Sequence, residues 1–184
     1  KNQSFLSCIA DMYNYYNLST GERNKVIELQ HRTDKDIKWI KSIILQHLNL
    51  DNFVTFQNGT LVELFYKPNS FKDDEFKKYK NDSLYKKLNK DNLDYLIKIT
   101  NALDNFKAYL SDDDIEINYE YIWDIICIPR KDNKLGGIFD SGLNLFILKS
   151  PDDDITNKIE VICPTNFYGS GYFDDDKEIL ILYT

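Results

Sequence analysis

The chain has 184 residues, of which 42% are hydrophobic and 14% aromatic, and its net charge at pH 7 is −7. This composition excludes an intrinsically disordered chain, and the length suffices for a domain with a substantial core. The acidic balance argues against a nucleic-acid partner, and no apolar run approaches the ~18–20 residues of a membrane span, so we expect neither partner.

Two helices are predicted in the first 50 residues, over 5–16 and 34–48. In each, apolar side chains recur every three or four positions and therefore share one face of a helix. The predicted buried face of the first helix comprises Phe5, Ile9, Met12 and Tyr16. The predicted buried face of the second comprises Ile37, Ile40, Ile44 and Leu48. Asp34 is the expected N-cap of the second helix.

Residues 53–65 carry a turn signal between two apolar runs. Asn58-Gly59 favours a tight turn with positive φ, so the flanking runs are interpreted as two short strands or as a strand entering a helix. The segment 71–90 is charged and only weakly periodic. We expect a mobile helical excursion there, spanning residues 67–92 in all.

The longest helix is predicted over 91–110, with Asp91 as its N-cap. Its apolar residues at intervals of three and four are Leu96, Ile99, Leu103, Phe106 and Leu110. The acidic stretch 111–114 then precedes an apolar helix, or a strand followed by a helix, that ends at Pro129.

Three strands are predicted in the last third of the chain, where β-branched and aromatic residues concentrate. They cover 142–150, 157–164 and 177–184 and are separated by Pro, Gly and Asp turns. Because these runs are strongly apolar, we expect interior strands. Helices first and a sheet last indicate an α+β fold, which we expect to form one domain over 1–184.

Nucleophilic hydrolysis requires a thiol or hydroxyl near a helix N-terminus and a base to activate it. Ser4, Ser7 and Cys8 lie near the start of the first predicted helix, where free N–H groups lower a thiol pKa. Cys8 lies one turn into that helix and is interpreted as a core cysteine. His31 and His47 are the only histidines, and nothing in the sequence places either beside these residues. The residues alone therefore indicate no competent catalytic triad.

Three aspartate triplets and one Gly-Gly pair are candidate ligand sites. The triplets lack the spacing of a calcium loop and are interpreted as turns and helix caps. Gly136-Gly137 lacks the spacing of a phosphate loop and is interpreted as a turn into the first strand. The triplets are Asp112–Asp114, Asp152–Asp154 and Asp174–Asp176. We expect no metal ion and no cofactor.

The stretch NQSFLSCIADMY, residues 2–13, resembles the active-site motif of the ovarian-tumour (OTU) deubiquitinases, which are papain-like cysteine proteases. Their motif reads Asp-Gly-Asn-Cys, then Leu or Phe, an aromatic residue, a variable pair, Ile-Ala and an acidic or polar residue. On this alignment Ser4 stands at the position of the nucleophilic cysteine, and Cys8 is only a helix residue. The matching residues that follow are Phe5, Leu6, Ile9, Ala10 and Asp11.

Three later segments are similar to the same family in the same order. INYEYIWDII, residues 117–126, is similar to the family's Trp-Gly-x-x-x-Glu-Leu-x-Ala-Leu helix. GLNLFILKS, residues 142–150, is similar to the strand after that helix. KEILILYT, residues 177–184, is similar to the last strand before the catalytic His-Tyr. The resemblance implies an OTU-like, papain-like fold with a helical N-terminal part packed on a small C-terminal sheet.

The chain departs from the family pattern at its catalytic positions. Ser4 stands in place of the cysteine, the preceding Asp-Gly is absent, and the sequence stops before the family's histidine. A serine hydroxyl without a base is a poor nucleophile. We therefore expect a catalytically inactive domain that binds ubiquitin, a ubiquitin-like protein or a neighbouring domain. The expected binding residues are Gln3, Phe5, Gly136 and Gly137.

Two alternatives stay open at this point. In the first, Ser4 replaces a native cysteine by engineering and the histidine lies beyond Thr184, which makes the protein a cysteine-type deubiquitinase. In the second, the chain is a structural scaffold domain.

Composition and chain ends suggest the setting of the protein. Abundant Lys, Asn, Asp, Ile and Tyr fit an AT-rich genome, and the abrupt ends fit a domain excised from a longer chain. In both features the chain is similar to internal segments of large proteins of giant nucleocytoplasmic DNA viruses. Three widely spaced cysteines, Cys8, Cys127 and Cys163, favour a reducing intracellular setting, in the host cytoplasm or the virion, over a disulfide framework or a zinc site.

Overall fold

The computed structural model describes residues 3–16, 34–68, 75–130, 136–150, 158–164 and 174–183. These ranges contain seven α-helices and one three-stranded sheet, so the predicted α+β class is confirmed. The chain divides into two compact units, Lys1–Tyr121 (unit 1) and Ile122–Thr184 (unit 2). The single domain expected over 1–184 stays a prediction. Among the helices described, none combines the length and the apolar character that a membrane crossing requires.

The α-helices follow the chain in this order: α1 (Ser4–Tyr16), α2 (Asp34–His47), α3 (Leu50–Phe53), α4 (Thr60–Phe65), α5 (Ser83–Asp91), α6 (Leu93–Ser111) and α7 (Tyr119–Cys127). Two 3-10 turns accompany them, Phe56–Gly59 before α4 and Glu75–Tyr79 before α5. The strands are β1 (Leu143–Lys149), β2 (Glu160–Ile162) and β3 (Glu178–Tyr183).

The long helix α6 forms the centre of unit 1 and packs against α2, α3, α4 and α5. All five residues of its predicted apolar face are buried. Its N-cap is Asn92, whose side chain accepts a hydrogen bond from the backbone N–H of Tyr95 at 3.0 Å. The predicted cap, Asp91, is instead the last residue of α5. An amide oxygen in the Ncap position satisfies the same helix N–H that a carboxylate would.

Helices α1 and α2 pack against each other, and both were predicted. The buried face of α1 differs from the predicted one, because it consists of Leu6, Ile9 and Ala10. Phe5 and Met12 are only half-buried. The side chains of Tyr16 and of the expected N-cap Asp34 lie outside the described part of the chain.

The buried face of α2 agrees with the sequence pattern. Ile40, Ile44 and Leu48 are buried, and Ile37 is half-buried. The same helix buries the side chain of Lys41, which its charge would not have suggested.

The strands predicted within 53–65 are wrong, because this region is helical. The helix of the second interpretation is present as α4. Asn49 caps α3 through a reciprocal hydrogen-bond pair with Asn52, at 2.9 and 3.0 Å. The expected positive φ is present at Asn58 and Gly59, and Gln57 also has a φ of +47°. These left-handed residues therefore connect two helical segments.

The predicted excursion is helical in its described part and packs against α6 within unit 1. Tyr79 is buried, and its hydroxyl donates a hydrogen bond to Asp104 on α6 at 2.7 Å. The carboxylate of Asp51 accepts hydrogen bonds from the N–H groups of Ser83 and Leu84 at the start of α5. These bonds satisfy N–H groups that lack a partner inside the helix. The expected mobility of the segment stays a prediction.

In unit 2 the strand order is β2-β1-β3, with β2 antiparallel and β3 parallel to β1. The central strand buries Leu143, Leu145 and Ile147, as an interior strand should. The prediction of interior strands is wrong for the outer two, since Val161 is 59% and Ile181 61% exposed. One face of the sheet is therefore buried on the central strand and half-buried on the outer two, and the other face carries exposed apolar side chains.

Candidate functional site

Ser4 is the first residue of α1, and its side chain is exposed. The first turn closes when the N–H of Ser7 donates to the carbonyl oxygen of Gln3 at 3.2 Å. Ser7 itself is buried, and Cys8 is half-buried instead of lying in the core as expected. Of the three sequence candidates for a nucleophile, only Ser4 therefore presents its side chain to solvent at the start of the helix.

Gln3 precedes Ser4 and is only 8% exposed. Its side-chain Nε2 lies 3.1 Å from the carbonyl oxygen of Asp112, 3.3 Å from that of Asp113 and 3.1 Å from that of Ile115. Its two N–H groups are therefore shared among three carbonyl oxygens. Gln3 therefore anchors the loop 112–115 to the start of α1. Its role in binding a partner stays a prediction.

Lys41 on α2 anchors the same loop, and sequence reasoning missed it. Its Nζ donates to the carbonyl oxygen of Asp112 at 2.7 Å and to the carboxylate of Asp113 at 3.0 Å. Lys38 lies 3.4 Å from the other oxygen of that carboxylate. The hydrogen bond from Lys41 is the main reason that the pKa of Asp113 is lowered. The sequence feature that could have identified this role is that Lys41 lies next to Ile40 on a helix face that is otherwise apolar.

Phe5, the second predicted binding residue, is half-buried. Its ring centroid lies 6.0 Å from that of Tyr119 at the start of α7, with the rings tilted by 56°. This is an ordinary aromatic packing distance. Phe5 therefore keeps only part of its surface available to a partner.

His47 is the last residue of α2, and its side chain is half-buried. The Nδ1 atom of His47 lies 2.9 Å from the carbonyl oxygen of Ile43, one turn earlier in the same helix. This bond gives the ring a local role at the end of α2. His31 lies outside the described residues.

Cys127 is fully buried in unit 2. Burial, followed by the charge of Asp124, raises the pKa of its thiol above the ordinary range. A thiol that resists ionisation is a poor nucleophile and a poor metal ligand. Cys127 is therefore a packing residue.

Gly136 and Gly137 are buried where the chain passes close to the end of α7. The N–H of Gly137 donates to the carbonyl oxygen of Ile128 at 3.0 Å, and the N–H of Ile138 donates to that of Ile125 at 2.8 Å. A Cβ atom on either glycine would collide with backbone atoms, those of Pro129 at Gly136 and those of Ile125 at Gly137. These positions require glycine for close packing, and their predicted role in binding stays a prediction.

The aspartate triplets within the described ranges form a helix end and a turn, as predicted. Asp112 is the C-cap of α6. The turn at Asp174–Asp176 is held by Asn144, whose Nδ2 donates to the carbonyl oxygen of Asp174 at 2.6 Å. The three carboxylates of this turn have oxygen atoms within 4.8 Å of one another, but all are exposed, and an exposed acidic turn alone does not make a metal site. Asp152–Asp154 lies outside the described residues.

Comparison of the chain with protein-family models finds no match, and comparisons with curated proteins and with solved structures find none either. The resemblance to the OTU family therefore rests on the sequence motifs quoted above.

Chemically, the α1 site offers an exposed alcohol at a helix N-terminus. A second feature, the exposed apolar face of the sheet, was missed because 178–183 is almost continuously apolar. Such a run has no alternation from which an exposed face could be read.

Proposed function

We propose that this chain is a catalytically inactive OTU-like domain that binds ubiquitin or a ubiquitin-like protein as part of a larger, viral protein. The observation that carries the proposal is the position of Ser4. The resemblance assigns this residue to the nucleophile, and its hydroxyl lies exposed at the first turn of α1.

The surroundings of Ser4 support an inactive site. An alcohol is not ionised near neutral pH and needs an adjacent base before it can attack a carbonyl. The ring of His47 is hydrogen-bonded to the carbonyl oxygen of Ile43 in its own helix. The side-chain amide of Gln3 donates its hydrogen bonds to the loop 112–115. A helix N-terminus without a base retains the capacity to contact a partner but not to cleave it.

Calorimetric titration with mono-ubiquitin and with linked di-ubiquitins tests the binding half of the proposal. Saturable binding of at least one of them is the expected result. Failure of all of them to bind at millimolar concentration removes the ubiquitin function and favours the scaffold alternative.

The inactive half is tested with Ser4→Cys and a ubiquitin carrying a thiol-reactive C-terminus. We expect no covalent adduct, because His47, the histidine within the described residues, is bonded to the carbonyl oxygen of Ile43. The matched control is Ser4→Cys combined with Cys8→Ser, which leaves position 4 as the one thiol in α1. An adduct that forms with both variants and not with the wild type would favour the cysteine protease alternative.

A further inference from the structure

Two lysines lie beside one carboxylate where the segment 75–91 packs on α6. The Nζ atom of Lys78 lies 2.7 Å from the carboxylate of Asp104, and the hydroxyl of Tyr79 donates to the same carboxylate oxygen at 2.7 Å. Lys107 lies three residues further along α6 than Asp104. Among the described residues its Nζ atom has no carboxylate oxygen within 4.0 Å. Lys78 is therefore paired with the carboxylate, and Lys107 is not.

Lys107 is half-buried beside an aromatic ring. Its Nζ atom lies 5.1 Å from the ring centroid of Tyr79, and the Nζ atom of Lys78 lies 5.4 Å from the same centroid. Burial is the main reason that the pKa of Lys107 is lowered, and the charge of Lys78 lowers it further. The charges of Asp104 and Asp82 act in the opposite direction. The surroundings therefore favour the uncharged amine of Lys107.

The uncharged amine is the nucleophilic form of lysine. Proteins activate a lysine by removing it from water and by placing a second cation beside it, and Lys107 meets both conditions. The charges of the cluster indicate which product is favoured. A neutral amide at Lys107 leaves Lys78 and Asp104 as one pair of opposite charges. A product that carries a negative charge would lie beside the carboxylate of Asp104 and is disfavoured. Acylation, which gives a neutral amide, is therefore the reaction that fits the cluster.

We propose that Lys107 is an acylation site whose amine reacts directly with acyl thioesters. The nitrogen attacks the thioester carbonyl carbon, so that a carbon–nitrogen bond forms and the carbon–sulfur bond breaks. The sulfur leaves with the bonding electron pair and takes up the proton released by the nitrogen, which gives a free thiol. Because Lys107 contacts Tyr79, acylation also changes the contact between α6 and the segment 75–91. This modification is independent of ubiquitin binding.

The test incubates the folded chain with acetyl coenzyme A near neutral pH and follows acetylation of each lysine by peptide mass spectrometry. Lys107 should react roughly threefold or more faster than Lys86, which is exposed on α5. The rate at Lys107 should also level off at a lower pH than the rate at Lys86. In urea the preference should disappear, because unfolding separates Lys107 from Lys78 and Tyr79.

The variant Lys78→Met tests the role of the cluster. It removes the second cation and leaves the carboxylate of Asp104 available to Lys107, so acetylation of Lys107 should slow toward the rate at Lys86. Lys87→Met is the matched control, because it removes an exposed lysine of α5 and should leave the rate at Lys107 unchanged. Equal unfolding temperatures of the two variants show that both fold.

Three results would overturn the inference. Acetylation of Lys107 no faster than that of Lys86 would show that its amine is not activated. A preference that persists in urea would assign the reactivity to the local sequence and not to the folded cluster. An unchanged rate at Lys107 in Lys78→Met would show that the second lysine does not activate it. None of these results bears on the binding of ubiquitin, which the titrations above test separately.

Discussion

Two buried polar side chains hold together the elements around Ser4. Gln3 and Lys41 both donate hydrogen bonds to the loop 112–115, which lies 109 or more residues from Gln3 in the sequence. Buried donors of this kind stabilise a fold only while their acceptors remain in place, because an unsatisfied polar group in the interior is costly. The loop, α1 and α2 therefore depend on one another.

Gln3→Glu should lower the free energy of unfolding by about 2 kcal/mol or more, because the change keeps the shape but turns a donor toward three carbonyl oxygens into an acceptor. Urea unfolding measures the effect. Gln46→Glu is the matched control on the exposed side of α2 and should change stability by less than about 0.5 kcal/mol. Equal losses in the two variants would contradict the anchoring role.

Asp113 predicts a pH dependence of stability. The hydrogen bond from Lys41 lowers the pKa of Asp113 in the folded protein. The charged carboxylate therefore stabilises the folded state fully above the ordinary pKa of 3.8, and this stabilisation is lost as the pH falls through the folded pKa. Asp113→Asn should therefore lower the unfolding temperature at neutral pH and make no difference in strong acid. Thermal unfolding across the acidic range, with Asp114→Asn as control, measures this. A difference that persists in strong acid would argue against the ion pair.

At the scale of elements, the hydroxyl of Tyr79 joins the segment 75–91 to α6. Burial, followed by the hydrogen bond to Asp104, raises the pKa of this tyrosine, so it stays protonated and donates throughout the physiological range. Tyr79→Phe should destabilise the protein by about 1–2 kcal/mol. Hydrogen exchange should rise first in α5. Tyr95→Phe, at an exposed position on α6, should leave both quantities unchanged.

The end of α7 depends on a close approach of backbone to backbone. Gly137→Ala should destabilise unit 2 by about 2 kcal/mol or more, because the added methyl group collides with the carbonyl of Ile125. Gly59→Ala is the comparison. Its Cβ would meet a backbone oxygen at 3.3 Å, so its loss of about 1 kcal/mol should come mainly from the positive φ of +83°. Hydrogen exchange that rises in unit 2 for both variants would contradict this assignment.

Across the whole chain, the spacing of apolar residues correctly predicted the helices that bury one continuous row of apolar side chains. The faces of α2 and α6 follow from i, i+3 and i+4 spacing, and the three strands follow from their composition. The region 53–65 defeated the same reasoning, because short apolar runs do not distinguish strands from helices. There the capping residue Asn49 and tertiary packing decide the structure.

The candidate site was predictable only in part. The first helix was predicted from residue 5, one residue after its start at Ser4. The anchoring role of Gln3, in contrast, depends on a loop more than a hundred residues away. The role of Gly137 depends on its distance from α7, which no local pattern encodes. The exposure of Ile181 depends on which face of the sheet is covered. An unbroken apolar run does not indicate which of its side chains lie on the covered face.

We propose that this chain binds ubiquitin without cleaving it, and one titration followed by nuclear magnetic resonance tests both halves of the proposal. Isotope-labelled di-ubiquitin is titrated with the unlabelled chain, and its amide signals are followed over time. We expect shifts that saturate while the isopeptide signal remains. Unchanged signals at millimolar chain would contradict binding, and the appearance of free mono-ubiquitin signals would contradict an inactive site.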